Sequence, residues 1–291
     1  MVLRSSPASA HNPSHLALYG RHASRHNWGP LIWSAPVVDV VAKQEASARR
    51  QVLMVPGYTE TGSDENYYVT QFFGALPANV DPNPPAEAMG RPQAYYVEQP
   101  PQAAVPPHYH DTNQYQVFLQ GSAIFGKKPV APLAVHYASG HTPYGPIITN
   151  DDATHYLTLR NQWDSGGKTM PQSRPTLRSV RRRFRMVEEL GLPDLKVLAV
   201  GAVDRDDVLA CEDDGLGVST FGLGAGAETG LALAVPGEGR FGLVLAGVLL
   251  GQDKPLDTGS CVYIGAADDE TFRAGPEGAA VLVMQFPPEP I

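Results

Sequence analysis

PPHYHDTNQYQVFLQG, the stretch from Pro106 to Gly121, decides the fold of this chain. His108 and His110 stand one residue apart, so in an extended strand they project from the same face. Gln114 follows them, and an apolar run that ends at Gly121 is typical of a strand entering a turn. The stretch therefore predicts a strand that places two imidazoles and an amide together.

The spacing of these residues resembles HxH(x)3–4E(x)6G, the first motif of the cupin superfamily, with Gln114 in place of the family's glutamate. The resemblance implies a small β-barrel that holds one divalent metal ion, such as iron, manganese, nickel or zinc. His108, His110 and Gln114 are then the candidate metal ligands, because neutral imidazoles on rigid strands suit such ions. Gln114 offers only a neutral carbonyl oxygen, a weaker ligand than carboxylate.

The composition excludes several classes of protein. Of the 291 residues, 43% are hydrophobic and 18% charged, which is typical of a globular protein. The net charge of -8 argues against nucleic-acid binding or attachment to an anionic membrane. No apolar run is long enough to span a bilayer and no signal peptide is recognisable, so we expect a cytoplasmic protein. Cys211 and Cys261 are too few for a thiolate zinc site.

An internal repeat with an offset of 126 residues indicates two copies of the same barrel. The offset places Gly121 on Gly247 and Tyr137 on Tyr263. It also places Lys128-Pro129-Val130 on Lys254-Pro255-Leu256, and the strand from His155 to Leu159 on Val281 to Gln285. The predicted fold class is all-β: two tandem cupin-type double-stranded β-helix (jelly-roll) barrels with one linker helix, an arrangement that resembles a bicupin.

The chain divides accordingly into four segments. They are an irregular N-terminal extension at 1–50, an N-terminal cupin barrel at 51–160, a linker with a helix at 161–196 and a degenerate C-terminal cupin barrel at 197–291. Trp28 and Trp33 in the extension mark a candidate segment for docking on the barrel.

The linker helix is predicted from Arg174 to Gly191 by an apolar stripe at helical spacing. The stripe consists of Leu177, Val180, Phe184, Val187 and Leu190. The arginine cluster from Arg178 to Arg185 has three interpretations: a solvated face, pairing with acidic residues of a neighbouring domain or subunit, or a nucleic-acid contact.

The second cupin motif is recognisable in the C-terminal copy. Gly259 to Phe272 resembles it, with Glu270 where the family has its third metal histidine, and subtracting 126 gives Tyr144. Tyr144 and His141 are the candidate catalytic residues. Tyr144 could bind the metal, donate a hydrogen bond, act as a general acid or line the pocket.

His141 could reach the metal or only cap its turn. His136 competes for the same vacant position, and strand alternation sends His136 and Tyr137 to opposite faces. In the C-terminal copy, the positions of His108, His110 and Gln114 are taken by Ala234, Pro236 and Arg240. That copy is therefore expected to bind no metal, with an ion pair between Arg240 and Glu270 in its place.

Three functions follow from these observations. The first is a metal-dependent enzyme, dioxygenase-like or isomerase- or lyase-like, acting on a small organic substrate in the N-terminal barrel. The second is a non-catalytic bicupin that binds a small ligand or a structural ion. The third is an assembly or regulatory protein that uses the arginine helix. The expected partners are a small molecule and, by resemblance, a second copy in a homodimer, with no nucleic acid and no membrane.

Overall fold

The computed structural model describes residues 38–53, 66–77, 83, 88, 90–251 and 254–291. The predicted docking segment around Trp28 and Trp33 lies outside these ranges. The described regular structure consists almost entirely of strands, with one five-residue helix, α1 (Lys43–Ser47), and a short 3-10 helix at Arg174–Thr176. No helix among the described residues is long and apolar enough to cross a membrane.

The strands are β1 (Val38–Val41), β2 (Arg50–Val52), β3 (Tyr68–Phe73), β4 (Gln93–Gln99), β5 (Ala104–Val105), β6 (His108–Tyr109), β7 (Gln114–Gln120), β8 (Ala123–Phe125), β9 (Lys128–Val130), β10 (Val135–Ala138), β11 (Ile147–Thr149), β12 (Thr154–Arg160), β13 (Lys168–Thr169), β14 (Phe184–Val187), β15 (Val203–Leu209), β16 (Gly217–Leu223), β17 (Glu228–Thr229), β18 (Arg240–Leu250), β19 (Pro255–Asp257), β20 (Cys261–Ile264) and β21 (Phe272–Gln285).

The first barrel is built from three antiparallel sheets. A seven-stranded sheet has the order β14-β10-β7-β12-β4-β3-β2, a four-stranded sheet has the order β5-β11-β8-β9, and β6 pairs with β13. Strand β7, which follows the two histidines, lies in the middle of the large sheet between β10 and β12. The sheet order therefore places Gln114, which opens β7, on a central strand of the barrel wall, whereas His108 lies on β6 in the two-stranded sheet.

Both faces of β7 are buried, which explains its continuous apolar and aromatic sequence. Gln114, Gln116 and Phe118 alternate toward the interior of the first barrel. Tyr115 and Val117 point the other way, into a core that the two barrels share. The Tyr115 hydroxyl donates hydrogen bonds across this core to the carbonyls of Gln285, at 2.8 Å, and Gly217, at 3.2 Å. One strand thus forms both the site wall and the barrel interface.

The second barrel repeats the pairing of the first, and the predicted two-barrel fold is confirmed. Strands β10 and β7 pair Val135 with Val117, and strands β20 and β18 pair Cys261 with Leu243, which is the same pair shifted by 126 residues. Both long central strands carry a bulge at equivalent residues, Leu119 and Leu245. The equivalent turns also match, because Gly121 has a φ of 71° and Gly247 a φ of 70°.

The last strand of the repeat follows an offset of 125 and not 126. Leu157 pairs with Val117 in the first barrel, and Leu282 pairs with Leu243 in the second. The connection that precedes β21 is therefore one residue shorter than its counterpart before β12. The offset of 126 expected for this strand is wrong by one residue.

Each barrel takes a strand from the segment that the sequence predicts as an irregular extension. Strand β1, inside the segment expected to be irregular, pairs with β20 of the second barrel. Strand β2 begins at Arg50 and pairs with β3 of the first barrel. The predicted irregularity is therefore wrong for residues 38–50, because this part of the chain supplies edge strands to both barrels.

The predicted linker helix from Arg174 to Gly191 is wrong. Only Arg174–Thr176 forms a short 3-10 turn, and Phe184–Val187 is strand β14, paired with the edge of β10. The ladder satisfies the backbone groups that β10 would otherwise leave open, and this tertiary contact outweighs the helical spacing of the apolar residues. Leu190 is buried in the core between the barrels, beside Val187.

The arginine cluster divides along this strand. Arg183 forms ion pairs with Asp214 at 2.8 Å and Glu212 at 3.4 Å, and Arg185 reaches Glu212 at 2.7 Å. Of the three interpretations of the cluster, pairing with acidic residues of a neighbouring domain is confirmed for these two arginines. The assembly function that depended on an arginine helix loses its structural basis.

Candidate functional site

Two backbone hydrogen bonds bring the two motifs of the first barrel together. The amide of His108 donates to the carbonyl of Tyr144 at 3.1 Å, and the amide of Tyr144 donates to the carbonyl of His108 at 3.0 Å. Strand β13 pairs with the other edge of β6, where Thr169 faces His108. Gln114 opens β7 close by, so the structure brings together His108, His110, Gln114 and Tyr144. All four side chains are buried.

The proton on His108 can be assigned from its partners. Its Nδ1 lies 2.7 Å from the Pro106 carbonyl oxygen, which can only accept, so Nδ1 carries the hydrogen. Its Nε2 lies 3.0 Å from the Tyr144 hydroxyl and therefore accepts from it. Gln114 in turn donates from Nε2 to the same hydroxyl oxygen. A hydrogen-bonded chain consequently runs from Gln114 through Tyr144 to His108.

Asp164, which the sequence analysis did not identify, orients His110. Its Oδ1 lies 2.7 Å from His110 Nδ1 and 2.8 Å from the Gly166 amide, and its Oδ2 accepts from the Asp111 amide at 2.9 Å. Burial by itself would raise the pKa of Asp164, but contact with His110 and the charge of Arg160 lower it, so the group is a carboxylate. The Nε2 lone pair of His110 therefore faces the site.

Both imidazoles are neutral. Burial lowers the pKa of His108 to about 4 and that of His110 to about 3. Histidines bind metals through one ring nitrogen while the other nitrogen donates to a fixed acceptor, and here both Nδ1 atoms lie against such acceptors. This is the feature of the site that agrees best with the predicted metal centre.

Arg160, at the end of β12, occupies the space between these ligands and is fully buried. Its Nη2 donates to the carbonyl oxygen of Gln114 and lies 3.2 Å from His110 Nε2. Its Nη1 donates to Gln93 Oε1 at 2.5 Å and to the Tyr95 hydroxyl at 3.0 Å. Burial disfavours the charged form, but interactions with Tyr95 and Asp164 raise the pKa of Arg160, so it remains a cation.

This arrangement does not fit a divalent cation. Arg160 already donates a hydrogen bond to the carbonyl oxygen of Gln114, and the Tyr144 hydroxyl donates one to His108 Nε2. An ion bonded to His110 at about 2.1 Å would lie within about 5 Å of Arg160 Nη2, and the two charges would repel by roughly 6 kcal/mol at an effective dielectric constant of 20. Among the described residues there is also no group of three His, Cys, Asp or Glu side chains that could hold a metal.

The same groups line a cavity of about 50 Å³ inside the first barrel. One wall is polar and is formed by His108, His110, Gln114, Tyr144 and Arg160. The rest of the lining is largely apolar and includes the residues Leu53, Val97, Val105 and Tyr156. Since one water position needs roughly 10–15 Å³ on this measure, the cavity has room for about three to five water-sized groups. It therefore suits a ligand of a few heavy atoms.

His136 lies behind Tyr144 and is not part of the cavity wall. It points into the first barrel, where its Nδ1 lies 3.0 Å from Gln116 Oε1 and its ring centroid is 4.8 Å from that of Tyr144. Tyr137 points instead into the core between the barrels, as the alternation predicts. His136 Nε2 is buried without a hydrogen-bond partner among the described residues, and burial lowers the pKa of this ring to about 3.

His141 does not reach the cavity. Its backbone has a φ of 57°, its amide donates to the His110 carbonyl at 2.7 Å, and its ring lies against Tyr109. Its Nε2 is 3.7 Å from Asp111 Oδ1, on the far side of the HxH segment. The structure thus brings Tyr144 into the candidate site and leaves His141 outside it.

Among its described residues, the second barrel has no equivalent cluster. Gln114 pairs with Ala138 and Arg240 with Ile264, so the two residues are structurally equivalent, and the positions of the two histidines fall on Ala234 and Pro236. Arg240 donates to the Gly230 carbonyl at 2.9 Å, and Asp269 and Asp268 are the acidic residues that act on its pKa. The ion pair between Arg240 and Glu270 stays a prediction.

The sequence contains a signal that could have identified Arg160. Tyr156, Thr158 and Arg160 alternate on β12 and all line the cavity, so an arginine ends the inward-facing row of a buried strand. A charged residue at such a position requires a partner and marks a candidate binding site. A guanidinium group does not bind metal ions, so a metal-binding motif does not point to this residue.

Three solved structures with similar folds share little sequence identity with this chain. A candidate dioxygenase from Nostoc punctiforme aligns with a TM-score of 0.55 and 10% identity, over 85% of this chain and 81% of its own. A bacterial pirin from Escherichia coli, in complex with nickel(II), aligns with a TM-score of 0.52 and 12% identity, over 87% and 100%. A candidate glyoxylate-induced protein from Pseudomonas aeruginosa aligns with a TM-score of 0.52 and 13% identity, over 84% and 87%.

No protein-family model and no curated protein matches the sequence. At these identities the structural likeness shows the fold alone. Together with the repeated strand registers and the HxH segment at the centre of the first barrel, it supports the resemblance seen in the sequence. The fold of this chain consists of two tandem cupin-type β-barrels.

Proposed function

We propose that the first barrel binds a small organic molecule in its cavity and that Tyr144 and His108 supply acid–base chemistry there. The second barrel acts as a scaffold that closes the opposite face of β7. The observation that supports this proposal is the polar wall of the cavity, where His108, His110, Gln114 and Arg160 converge. Such convergence of buried polar groups on an enclosed space is typical of ligand sites.

Tyr144 and His108 are suited to move a proton. The Tyr144 hydroxyl accepts from Gln114 and donates to His108 Nε2 at 3.0 Å. A proton taken up by the phenolic oxygen from a ligand can therefore pass to the imidazole without movement of either ring. A side chain that transfers a proton within hydrogen-bond distance acts as a general acid or base.

Two tyrosine variants test this proposal. Tyr144→Phe removes the hydroxyl that faces the cavity, whereas Tyr109→Phe removes a hydroxyl that bonds Thr176 at 2.7 Å and lies outside the cavity lining. Native mass spectrometry of untagged protein is expected to detect a small bound molecule in wild type and Tyr109→Phe, and less of it in Tyr144→Phe and His108→Ala. Equal retention by all four proteins would contradict the proposed site.

A second candidate is the metal-dependent enzyme that the sequence predicts, using iron, manganese, nickel or zinc. The observation in its favour is that His108 and His110 both present Nε2 lone pairs inward while their Nδ1 atoms are held by Pro106 and Asp164. It requires Arg160 to leave its present position. Elemental analysis of untagged protein decides the question: one metal ion per chain, lost in His108→Ala, would favour this candidate.

A further inference from the structure

Arg160 is a buried cation without a carboxylate partner. No acidic oxygen of the described residues forms an ion pair with it, and its hydrogen-bond acceptors are the neutral side chains of Gln93, Tyr95 and Gln114. Asp164 is the carboxylate that acts on it, but both oxygens of Asp164 already accept hydrogen bonds from His110, Asp111 and Gly166. A buried charge paired only with neutral groups is costly, and proteins keep such groups where a ligand supplies the counter-charge.

One edge of the guanidinium group has unused hydrogen-bonding capacity. Nε is buried and has no hydrogen-bond partner among the described residues. Nη2 lies almost equally far from both ring nitrogens of His110, at 3.1 and 3.2 Å, although Nδ1 gives its hydrogen to Asp164. The contact with His110 is therefore a poor hydrogen bond, and the Nε–Nη2 edge can still donate. Two parallel donors of this kind match the two oxygens of a carboxylate.

From these observations we infer that the ligand of the first barrel is a small monocarboxylate, and that Arg160 binds its carboxylate group. The inference rests on the proposed function and specifies its substrate class. The cavity of about 50 Å³ limits the ligand to a few heavy atoms. Its apolar wall, which includes Val97 and Val105, favours a short aliphatic body over a second charged group.

Acetate and propionate are suitable probes, and acetamide and propionamide are their neutral isosteres. Binding is measured by isothermal titration calorimetry at fixed pH and ionic strength, on full-length protein without a His tag. Wild type is expected to bind one carboxylate per chain, and the matched amide about tenfold more weakly or not at all, because only the carboxylate offers two anionic acceptors.

Three arginine variants complete the test. Arg160→Met should abolish carboxylate binding, and Arg160→Lys should weaken it about tenfold, because an ammonium group cannot replace the planar guanidinium fork. Arg240→Met removes a similarly buried arginine from the second barrel, and it should bind acetate as wild type does. Circular dichroism checks that each variant folds. If Arg160→Met does not fold, the carboxylate affinity of Arg160→Lys tests the inference instead. A carboxylate affinity equal to that of wild type in Arg160→Lys would overturn the inference.

Metal content gives an independent readout. Wild type should contain no stoichiometric nickel or zinc after incubation and dialysis, whereas Arg160→Met, if folded, should take up more of either ion because the repelling charge is gone. One metal ion per wild-type chain, with acetate binding that depends on it, would overturn the inference. Equal binding of acetate and acetamide would also overturn it, yet leave the proposed function standing. If no small molecule binds at all, both proposals fail.

Discussion

The carboxyl group of Glu289 gives the sharpest prediction for stability. It reaches from the end of the second barrel to the first, where both of its oxygens lie 3.0 Å from the backbone amide nitrogen of Asn113. Burial raises the pKa of Glu289 to about 7, against an ordinary value of 4.5, and outweighs the hydrogen bonds from Asn113 and Gln162. The folded protein therefore binds this proton more tightly than the unfolded chain does.

The sign and size of the effect follow from linkage. A carboxyl whose pKa is raised on folding contributes stability that is complete below pH 4.5 and is lost as the pH rises to about 7. A shift from 4.5 to about 7 corresponds to about 3 kcal/mol at most. The buried histidines act in the opposite direction, because burial lowers the pKa values of His108, His110 and His136. The effect of Glu289 is therefore isolated only by the difference in unfolding free energy between wild type and a Glu289 variant.

The assay is urea unfolding of wild type and Glu289→Gln between pH 4.5 and pH 8, followed by tryptophan fluorescence. Relative to Glu289→Gln, wild type should lose about 2–3 kcal/mol of unfolding free energy between the two ends of this range, with little change above pH 7.5. Glu277→Gln, which removes an exposed carboxylate, is the matched control and should run parallel to wild type. A difference curve that is flat, or that rises with pH, would refute the reasoning.

Three further substitutions test the fold. Tyr115→Phe should cost about 1–2 kcal/mol of unfolding free energy, because the carbonyls of Gln285 and Gly217 lose their donor; thermal unfolding measures this loss. Gly247→Ala should lower the melting temperature sharply, since its φ is 70° and the added Cβ would lie 2.2 Å from the Gly278 carbonyl oxygen, whereas Gly191→Ala meets nothing within 4 Å. Arg183→Gln should cost roughly 0.5–1 kcal/mol of unfolding free energy at low salt and less at high salt, as measured by denaturant titration. A loss of the same size at both salt concentrations would argue against an ion-pair effect.

The two-barrel fold could be predicted because its evidence is local and repeated. The HxH spacing fixes the centre of the first barrel, and the landmarks at Gly121 and Gly247 mark turns with the same left-handed backbone. These turns depend on glycine, since a Cβ at Gly121 would lie within 2 Å of the Ala153 carbonyl oxygen. A constraint of this strength persists in both copies, even where the ligand positions have changed.

The candidate site could be predicted only in part. His108, His110, Gln114 and Tyr144 meet as the two motifs predict. Arg160 joins them from β12, and its importance depends on a burial that no short motif encodes. His141 fails as a site residue because its positive φ turns the chain so that its ring lies against Tyr109 and not toward the cavity.

The prediction of a linker helix is wrong for a different reason. Its apolar residues satisfy a helical period, but the alternation of Arg183 and Arg185 with Phe184 and Met186 fits a strand equally well. The structure follows the strand interpretation because β10 offers an open edge and the second barrel offers carboxylates at Glu212 and Asp214. Neither of these can be recognised from residues 174–191 alone.

The tail that follows β21 has a consequence for how the protein is made. The Asn113 side chain donates a hydrogen bond to the carbonyl of Pro287, which lies 174 residues later in the sequence. The backbone amide of Asn113 donates to the carboxyl group of Glu289. Strand β1, in turn, finds its partner only at β20. During synthesis on the ribosome, the segment that carries the two histidines must therefore wait for most of the remaining chain before its own hydrogen bonds are complete. The first barrel to be translated is therefore expected to complete these contacts only after the tail has been synthesised.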